Sequence, residues 1–369
     1  MGTLNKKFHP RLFGFSGFSG AGKTTLIEKL IKECSDWRIG YVKHDAHKFE
    51  MDYPGKDTYR QYQAGAVMVY INDSSHSCLQ VRGDDYIQVK ETFKDCDLVL
   101  AEGHKYSDHP KFLFLDKEES ALREFTEGKI TDVLAFILQD KDQVHPLELP
   151  AFQRDDVTGI KNFIRERIRS NNASSELFAL ILTGGQSSRM GTDKSLLSYH
   201  GKPQAQHLYD LCASLNLKTF LSCTPEQAQK KEFNHLPIIT DRFLGFGPMS
   251  GILSAMSVYP EKSWLVLACD LPLISAENLK ELIKQRDPLR QATAYFNNKT
   301  GNFEPLFAIY GPEIYSRMLH FLSEGVTSLQ KVLSISTVKK LALQTEGALL
   351  NANTLEDRAK ALEILSSND

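Results

Sequence analysis

Short continuous apolar runs, several of them ending at or near glycine or a carboxylate, recur along the chain and alternate with stretches whose apolar residues fall at helical spacing. A strand buried on both faces requires such a run, whereas a helix covering it requires a stripe repeating every three or four residues. In the first half, residues 11–16, 39–42, 97–102, 111–115 and 133–138 predict strands, with an amphipathic helix from Leu26 and a closing helix over 156–168. In the second half, residues 177–182, 219–223, 236–239 and 264–268 predict strands. Helices follow at Leu208, Leu211 and Leu215, after Pro225, and after the turn at 245–251. The alternation predicts two three-layer α/β domains with parallel, doubly wound sheets, which bind ligands at the carboxyl ends of their strands. Between the halves, residues 170–175 form a small polar run suited to a joint, giving a first domain at 1–169, a linker at 170–176 and a second domain at 177–369.

The strand ends carry the candidate chemistry. After the first strand stands Gly17-Phe18-Ser19-Gly20-Ala21-Gly22-Lys23-Thr24-Thr25 and then a helix, the strand, G-x-x-x-x-G-K-T, helix order of a P-loop. Gly17, Gly20 and Gly22 let backbone N–H groups curl around phosphates, Lys23 reaches the β- and γ-phosphates, and Thr24 offers a hydroxyl to Mg2+. Glu102 ends a buried strand and reads either as a Mg2+- or water-orienting carboxylate or as a solvated loop residue. His44 and His47 stand among carboxylates after the second strand, as metal ligands or as hydrogen-bonding loop groups.

The second domain opens with an apolar strand that breaks into Thr183-Gly184-Gly185-Gln186-Ser187-Ser188-Arg189-Met190-Gly191-Thr192-Asp193-Lys194. Paired glycines beside Arg189 and Lys194 suit a polyphosphate, or an ordinary strand-to-helix connection with two surface cations. Two further strand ends carry Asp241 and Asp270. A carboxylate facing a cationic glycine loop suits Mg2+ held against phosphates, and nucleotidyl transfer is the natural reaction. Asp270 reads as that carboxylate or as a strand-ending cap. Asp241 reads as a metal or a sugar contact.

Composition removes several classes. A net charge of −2 supplies no basic field for nucleic acid or an anionic membrane. No run approaches the roughly 18 apolar residues of a membrane helix. The six cysteines form no C-x-x-C pair, which fits free thiols in a reducing, cytoplasmic setting and excludes a structural zinc of that type. At 369 residues the chain exceeds one typical core, and no internal repeat relates its halves.

The P-loop, Lys43-His44-Asp45-Ala46-His47, Pro54-Gly55-Lys56-Asp57-Thr58-Tyr59 with Ala64-Gly65-Ala66, and Leu100-Ala101-Glu102-Gly103-His104-Lys105 resemble the MobB family of GTP-binding adaptors over most of residues 8–169. The resemblance implies GTP contacts at Gly20, Gly22, Lys23, Thr24 and Thr25, and a homodimer through the first domain. With no arginine finger or Ras-like glutamine assignable, hydrolysis there should be slow. The glycine loop through Lys194-Ser195-Leu196-Leu197, Gly201-Lys202-Pro203, Asp241 with Gly247-Pro248 and Gly251, Cys269-Asp270-Leu271-Pro272, and Asn351-Ala352-Asn353-Thr354 with Glu356-Asp357 resemble the MobA family, molybdenum cofactor guanylyltransferases, from about residue 178 to 365. That family transfers GMP from GTP to the terminal phosphate of molybdopterin or Mo-molybdopterin, giving the guanine dinucleotide cofactor and pyrophosphate. The resemblance implies GTP binding by Leu182, Gly184, Gly185, Lys194 and Asp241, GTP and Mg2+ binding by Asp270, and catalysis by Arg189, Lys194 and Asp270. It also implies a molybdenum insertion protein and apo-molybdoenzymes as partners. Ser222 departs from the family, which often has Asn there. Alternatives from the residues are a cytidylyltransferase of the same fold and a non-catalytic cofactor carrier or scaffold.

Overall fold

The computed structural model describes residues 8–35, 37–43, 52–83, 86–143, 145–146, 148–173, 176–183, 194–229, 231–233, 235–342 and 349–367. The chain divides into two compact units, Met1–Glu166 and Arg167–Asp369.

The first unit runs β1 (Leu12–Ser16), α1 (Lys23–Glu33), β2 (Ile39–Lys43), α2 (Asp57–Gln63), β3 (Met68–Asn72), β4 (Ser77–Val81), α3 (Tyr86–Phe93), β5 (Leu98–Glu102), β6 (Lys111–Phe114), α4 (Ser120–Thr126), β7 (Val133–Leu138), β8 (Ala151–Gln153) and α5 (Val157–Ala173). Six strands make one sheet in the order β2-β5-β1-β6-β7-β8, with every pairing parallel. β1, β5 and β6 are buried along their whole length, as their unbroken apolar runs require. β2 and β5 lie on one side of β1 and β6 to β8 on the other, so the loop leaving β1 opens where the winding reverses, the place such sheets use for ligands. β3 and β4 form a separate antiparallel ribbon, unassigned from the sequence although Val67 to Ile71 is a continuous apolar run. The closing helix runs past the expected residue 168 to Ala173, into the stretch read as a joint. No glycine or proline there stops it, and the Ser170 hydroxyl donates back to the Arg167 carbonyl at 3.0 Å.

The second unit runs β9 (Leu177–Leu182), α6 (Gln204–Ser214), β10 (Lys218–Cys223), β11 (Ile238–Thr240), α7 (Pro248–Val258), β12 (Ser263–Ala268), α8 (Ala276–Lys284), β13 (Ala292–Asn297), β14 (Asn302–Tyr310), α9 (Ile314–Ser323), α10 (Leu329–Ile335), β15 (Val338–Ala342) and α11 (Leu355–Ser366). Its sheet order is β11-β10-β9-β12-β14-β13-β15. Phe178, Leu180 and Leu182 of β9 pack with residues of α7, α9 and α10, while Ala179 and Ile181 pack with α6 and α8. The alternation of a strand's side chains thus builds the two cores of a three-layer domain. Two expectations change. β14 runs antiparallel to both neighbours, so the sheet is mixed. Among the described residues, the segment after Pro225 holds two 3-10 turns, Gln227–Gln229 and Lys231–Phe233, in place of a helix, and Phe233 is the one residue of these turns that is buried in the core. None of the six cysteines forms a disulfide, and among the described residues no helix is long and apolar enough to cross a membrane.

Gly14 of β1 leaves room for His109, whose Nε2 would lie 2.8 Å from an added Cβ. His109 is fully buried and shares a 3.1 Å hydrogen bond with the Ser107 hydroxyl, while buried Lys111 donates to the carbonyls of Ser107 (2.6 Å) and Thr131 (2.8 Å). Burial, then the charge of Lys111, holds His109 down to about 3. The unfolded chain therefore takes up this proton near the ordinary histidine value and the folded chain only near 3. The contribution is complete above about pH 6.5 and is lost as pH falls toward 3, by up to about 1.4 kcal/mol per pH unit. Urea unfolding of the parent should therefore weaken steeply from pH 6.5 to 4.5. The His109→Gln chain should show a shallower slope, and equal slopes would refute the assignment.

Candidate active site

In the second unit, β9 is flanked by β10 and β12, both parallel to it, with Leu182 paired to Ser222 on one side and Ala268 on the other. The chain winds away from β9 in opposite directions through these neighbours, which opens a crevice at their carboxyl ends. Gly184, Gly185 and Arg189 lie outside the described residues. Lys194 begins a single 3-10 turn, Lys194–Leu196, and its Nζ stands 3.7 Å from Asp270 Oδ2 and donates to Asn353 Oδ1. The Ala352 N–H donates to the Asp270 carbonyl at 2.8 Å, so the segment before α11 is tied to the end of β12. Thr354 and Asp357 form a capping box, and Asp357 also accepts from the Asn353 N–H at 3.1 Å, fixing the backbone that presents the amide.

Asp270 Oδ1 is buried and makes no hydrogen bond among the described residues. Burial raises the Asp270 pKa and Lys194 pulls it back, with burial the larger effect. An ion pair near 4 Å is worth about 4 kcal/mol at the effective dielectric of a half-buried site, and desolvating a carboxylate costs a comparable amount. Asp270 thus retains an unsatisfied oxygen, and among the described residues Lys194 is the cation paired with it.

A second pair lies across β9. Ser222 Oγ donates to Asp241 Oδ1 at 2.7 Å, and the Asp241 N–H donates to the Cys223 carbonyl at 2.8 Å. Burial raises the Asp241 pKa, with the Ser222 hydrogen bond opposing. Thr183 Oγ1 donates to the Ser222 carbonyl at 2.6 Å, and Gln227 Nε2 to the Thr183 carbonyl at 3.1 Å, which ties the start of the glycine loop to β10. Serine at 222 therefore holds Asp241 directly.

In the first unit, Gly20 and Gly22 take φ of +76° and +88°, left-handed values that glycine adopts without strain. Lys23 Nζ donates to the carbonyls of Gly17 (3.0 Å) and Phe18 (2.7 Å), spanning the loop. Thr24 Oγ1 donates to both Glu102 oxygens, at 2.8 and 3.0 Å, and Tyr41 donates to Oε2 at 2.8 Å. The pairing of Phe15 with Glu102 between β1 and β5 brings this carboxylate beside the loop. Burial, then the bond to Glu102, pushes the Tyr41 pKa up. Thr25 is exposed in the first turn of α1. His44 and His47 lie outside the described residues, among which no cluster of three metal-ligating side chains occurs.

The expected residues Lys194 and Asp270 come together, as do Thr24 and Glu102. Leu182 at the end of β9 and Asp241 just past the end of β11 flank Ser222. Sequence reasoning gave Asn353 no role and missed Tyr41, which sits on an edge strand without any motif. The Asn351-Ala352-Asn353-Thr354 pattern carried the signal for the former.

Gly251 of α7 explains how the Ser222 pair fits. An added Cβ would lie 2.1 Å from Ser222 Oγ and 2.8 Å from Leu182 Cδ2. Alanine gains about 1 kcal/mol of helix propensity but overpacks by about 1–3 kcal/mol, and here the Ser222 hydroxyl must also leave Asp241. The Gly251→Ala chain should unfold at lower urea and bind nucleotide more weakly; unchanged stability and binding would refute this packing.

Residues 12–139 match the family described as molybdopterin guanine dinucleotide synthesis protein B, MobB, and residues 179–341 match the MobA-like NTP transferase domain. Among solved structures, molybdopterin-guanine dinucleotide biosynthesis protein A from Archaeoglobus fulgidus aligns with 51% of this chain and 98% of its own, at 23% identity and a TM-score of 0.45. A molybdenum cofactor biosynthesis bifunctional protein of Synechocystis is 35% identical over 189 residues, covering 51% of this chain and only 54% of that relative. A probable molybdenum cofactor guanylyltransferase of Nostoc is 34% identical over 188 residues, 50% of this chain and 89% of the relative. Another from Bacillus cereus is 31% identical over 196 residues, 51% of this chain and 96% of the relative. The chain therefore belongs to the molybdenum cofactor guanylyltransferase family and carries a MobB domain ahead of its MobA-like domain.

Proposed function

We propose that the second unit transfers GMP from GTP to the terminal phosphate of molybdopterin, releasing pyrophosphate, and that the first unit binds GTP as an adaptor with slow hydrolysis. The observation that carries the reading is the convergence of Lys194, Asp270 and Asn353 at the carboxyl end of the β9–β12 crevice. Lys194 is positioned to draw charge from the triphosphate as pyrophosphate departs, and Arg189 and the paired glycines Gly184 and Gly185 would hold its oxygens. The acceptor phosphate is already anionic, so its attack needs no general base. Leu182, Ser222 and Asp241 would frame the nucleoside, with the Ser222 hydrogen bond fixing the Asp241 carboxylate.

A divalent cation fits both units, on the buried unpaired oxygen of Asp270 and on the adjacent oxygens of Thr24 and Glu102. We take it to be Mg2+, which would neutralise phosphate charge. In the first unit, Lys23 and the Gly17, Gly20 and Gly22 backbone would hold the phosphates, with Thr25 at the helix start. Cysteines without disulfides support a reducing, cytoplasmic setting. A molybdenum insertion protein and apo-molybdoenzymes complete the partners of this reading. The domain limits keep this two-part division, with the joint expected at 170–176 beginning inside the last turn of α5, which runs to Ala173.

Met68, Tyr70, Ile71 and Leu79 stand exposed on the β3–β4 ribbon, and a lone two-stranded ribbon is marginal in water. Both features support a homodimer through the first unit. Sedimentation should show a dimer that Ile71→Asp dissociates, and a monomeric parent at tens of micromolar would refute it. For the transfer itself, the full chain should use GTP with molybdopterin in preference to CTP or ATP, and Asp270→Asn should lower turnover by roughly 10²- to 10³-fold. Use of CTP without GTP would favour the cytidylyl reading, and full activity in Asp270→Asn would sink the role given to that carboxylate.

A further inference from the structure

Between Lys194 and α6 the chain folds into a short hairpin that meets the turn carrying Asp270 at two points. The Leu197 N–H donates to the Lys194 carbonyl at 3.3 Å, the Gln204 N–H donates to the Leu197 carbonyl at 2.8 Å, and a bridge joins Ser198 to Pro203. Gly201 closes the tip at φ +72°, a left-handed value that suits glycine. Leu197 and Tyr199 are buried with Ala352 and Ala361, and Leu273 packs against them. One small apolar cluster therefore joins the hairpin, the segment after Asp270 and the segment that presents Asn353. Lys194 makes the first polar contact with the turn, 3.7 Å from Asp270 Oδ2.

His200 makes the second. Its Nε2 lies 2.9 Å from the Pro272 carbonyl oxygen. A carbonyl only accepts, so Nε2 carries the hydrogen. The ring is stacked on His207 of α6, with centroids 3.7 Å apart and planes 9° from parallel, which fixes the direction of the donor. Burial, then the neighbouring His200 and Lys202, holds His207 down to about 4, so at neutral pH an uncharged ring backs the donor. The Asp270 turn is thus tied by carbonyls at two places, Asp270 accepting from the Ala352 N–H at 2.8 Å and Pro272 from His200. Its carboxylate has no comparable tether. Lys194 at 3.7 Å stands beyond ordinary hydrogen-bond length, and Oδ1 has no hydrogen-bond partner among the described residues. The backbone of the turn therefore sets where the carboxylate stands.

We propose that His200 is a positioning residue for the transfer, an inference that rests on the nucleotidyl-transfer reading: its Nε2–H holds the Pro272 carbonyl and so sets the Asp270 carboxylate against Lys194. Cation and anchor belong to one hairpin, so any shift of that hairpin carries both, and the spacing between Lys194 and Asp270 is kept.

The test compares full-length chains carrying His200→Phe, which keeps a flat ring on His207 without a donor, and His200→Gln, whose amide sets a donor near the place of Nε2. In His200→Phe, hydrogen exchange should quicken at residues 269–273 and 350–354 while β9 and β12 keep parental protection. With GTP and molybdopterin, kcat should fall roughly 10- to 100-fold, the scale of a displacement of about 1 Å, with the KM for GTP within about twofold of the parent. His200→Gln should retain most of the parental kcat and protection. In an Asp270→Asn background, His200→Phe should cost less than about twofold more, because a residue acting through Asp270 has nothing left to position. Equal losses in the two backgrounds, or parental kcat and a protected turn in His200→Phe, would overturn the proposal and leave the transfer reading intact. A parent that transfers no nucleotide would overturn the transfer reading, and with it the catalytic purpose of His200; the exchange data would still decide whether His200 holds the turn. If His200→Phe does not fold, His200→Asn decides, since its shorter amide stops short of the carbonyl: parental kcat and protection would overturn the proposal, and local loss of protection with lowered kcat would support it.

Discussion

Three segments far apart in the chain are bound to one another at Asp270. Lys194 comes from the loop after β9, Asp270 from the end of β12, and Asn353 from the cap of α11, and the Ala352 N–H ties the last to the second. This junction is what the rest of the second unit serves. The parallel flanking of β9 by β10 and β12 sets where the crevice lies, and the capping box of α11 sets the angle at which the amide enters it. Remove the cation, and a largely buried carboxylate is left unpaired, which costs more than the pair contributes. The arrangement is therefore poor as a source of stability and well suited to receive a charged ligand.

The same physical theme recurs in the first unit, with a different outcome. There Thr24 and Tyr41 both donate to Glu102, so the carboxylate is satisfied by hydroxyls rather than left with a bare oxygen. A site whose acid already has neutral partners can exchange one of them for a cation without large rearrangement. That difference fits the division of work proposed here, in which one nucleotide is consumed and the other is held.

Legibility in the sequence followed burial. Strands covered on both faces appear as unbroken apolar runs, so β7 and β9 match their expected spans and the others differ by a residue or two. The carboxylates ending β5 and β12 were legible for the same reason, since a charge terminating such a run marks a strand end. Antiparallel β14 was not, because its direction is set by the hairpin with β13 and by pairing partners distant in sequence. Tyr41 lies on an edge strand with alternating exposure and no motif, and β3 breaks the link between apolar runs and burial, since its run from Val67 to Ile71 is largely exposed. In place of the helix expected after Pro225 the chain makes two 3-10 turns, because a single buried side chain, Phe233, is not the repeating apolar stripe a longer helix needs.

The most direct measurement of the central claim follows the label of α-³²P-GTP incubated with molybdopterin and the full chain carrying Lys23→Ala. Nucleotidyl transfer in the second unit predicts label in the guanine dinucleotide product, with an equal amount of pyrophosphate released. Label found only in GTP and GDP, with phosphate and no pyrophosphate formed, would contradict it.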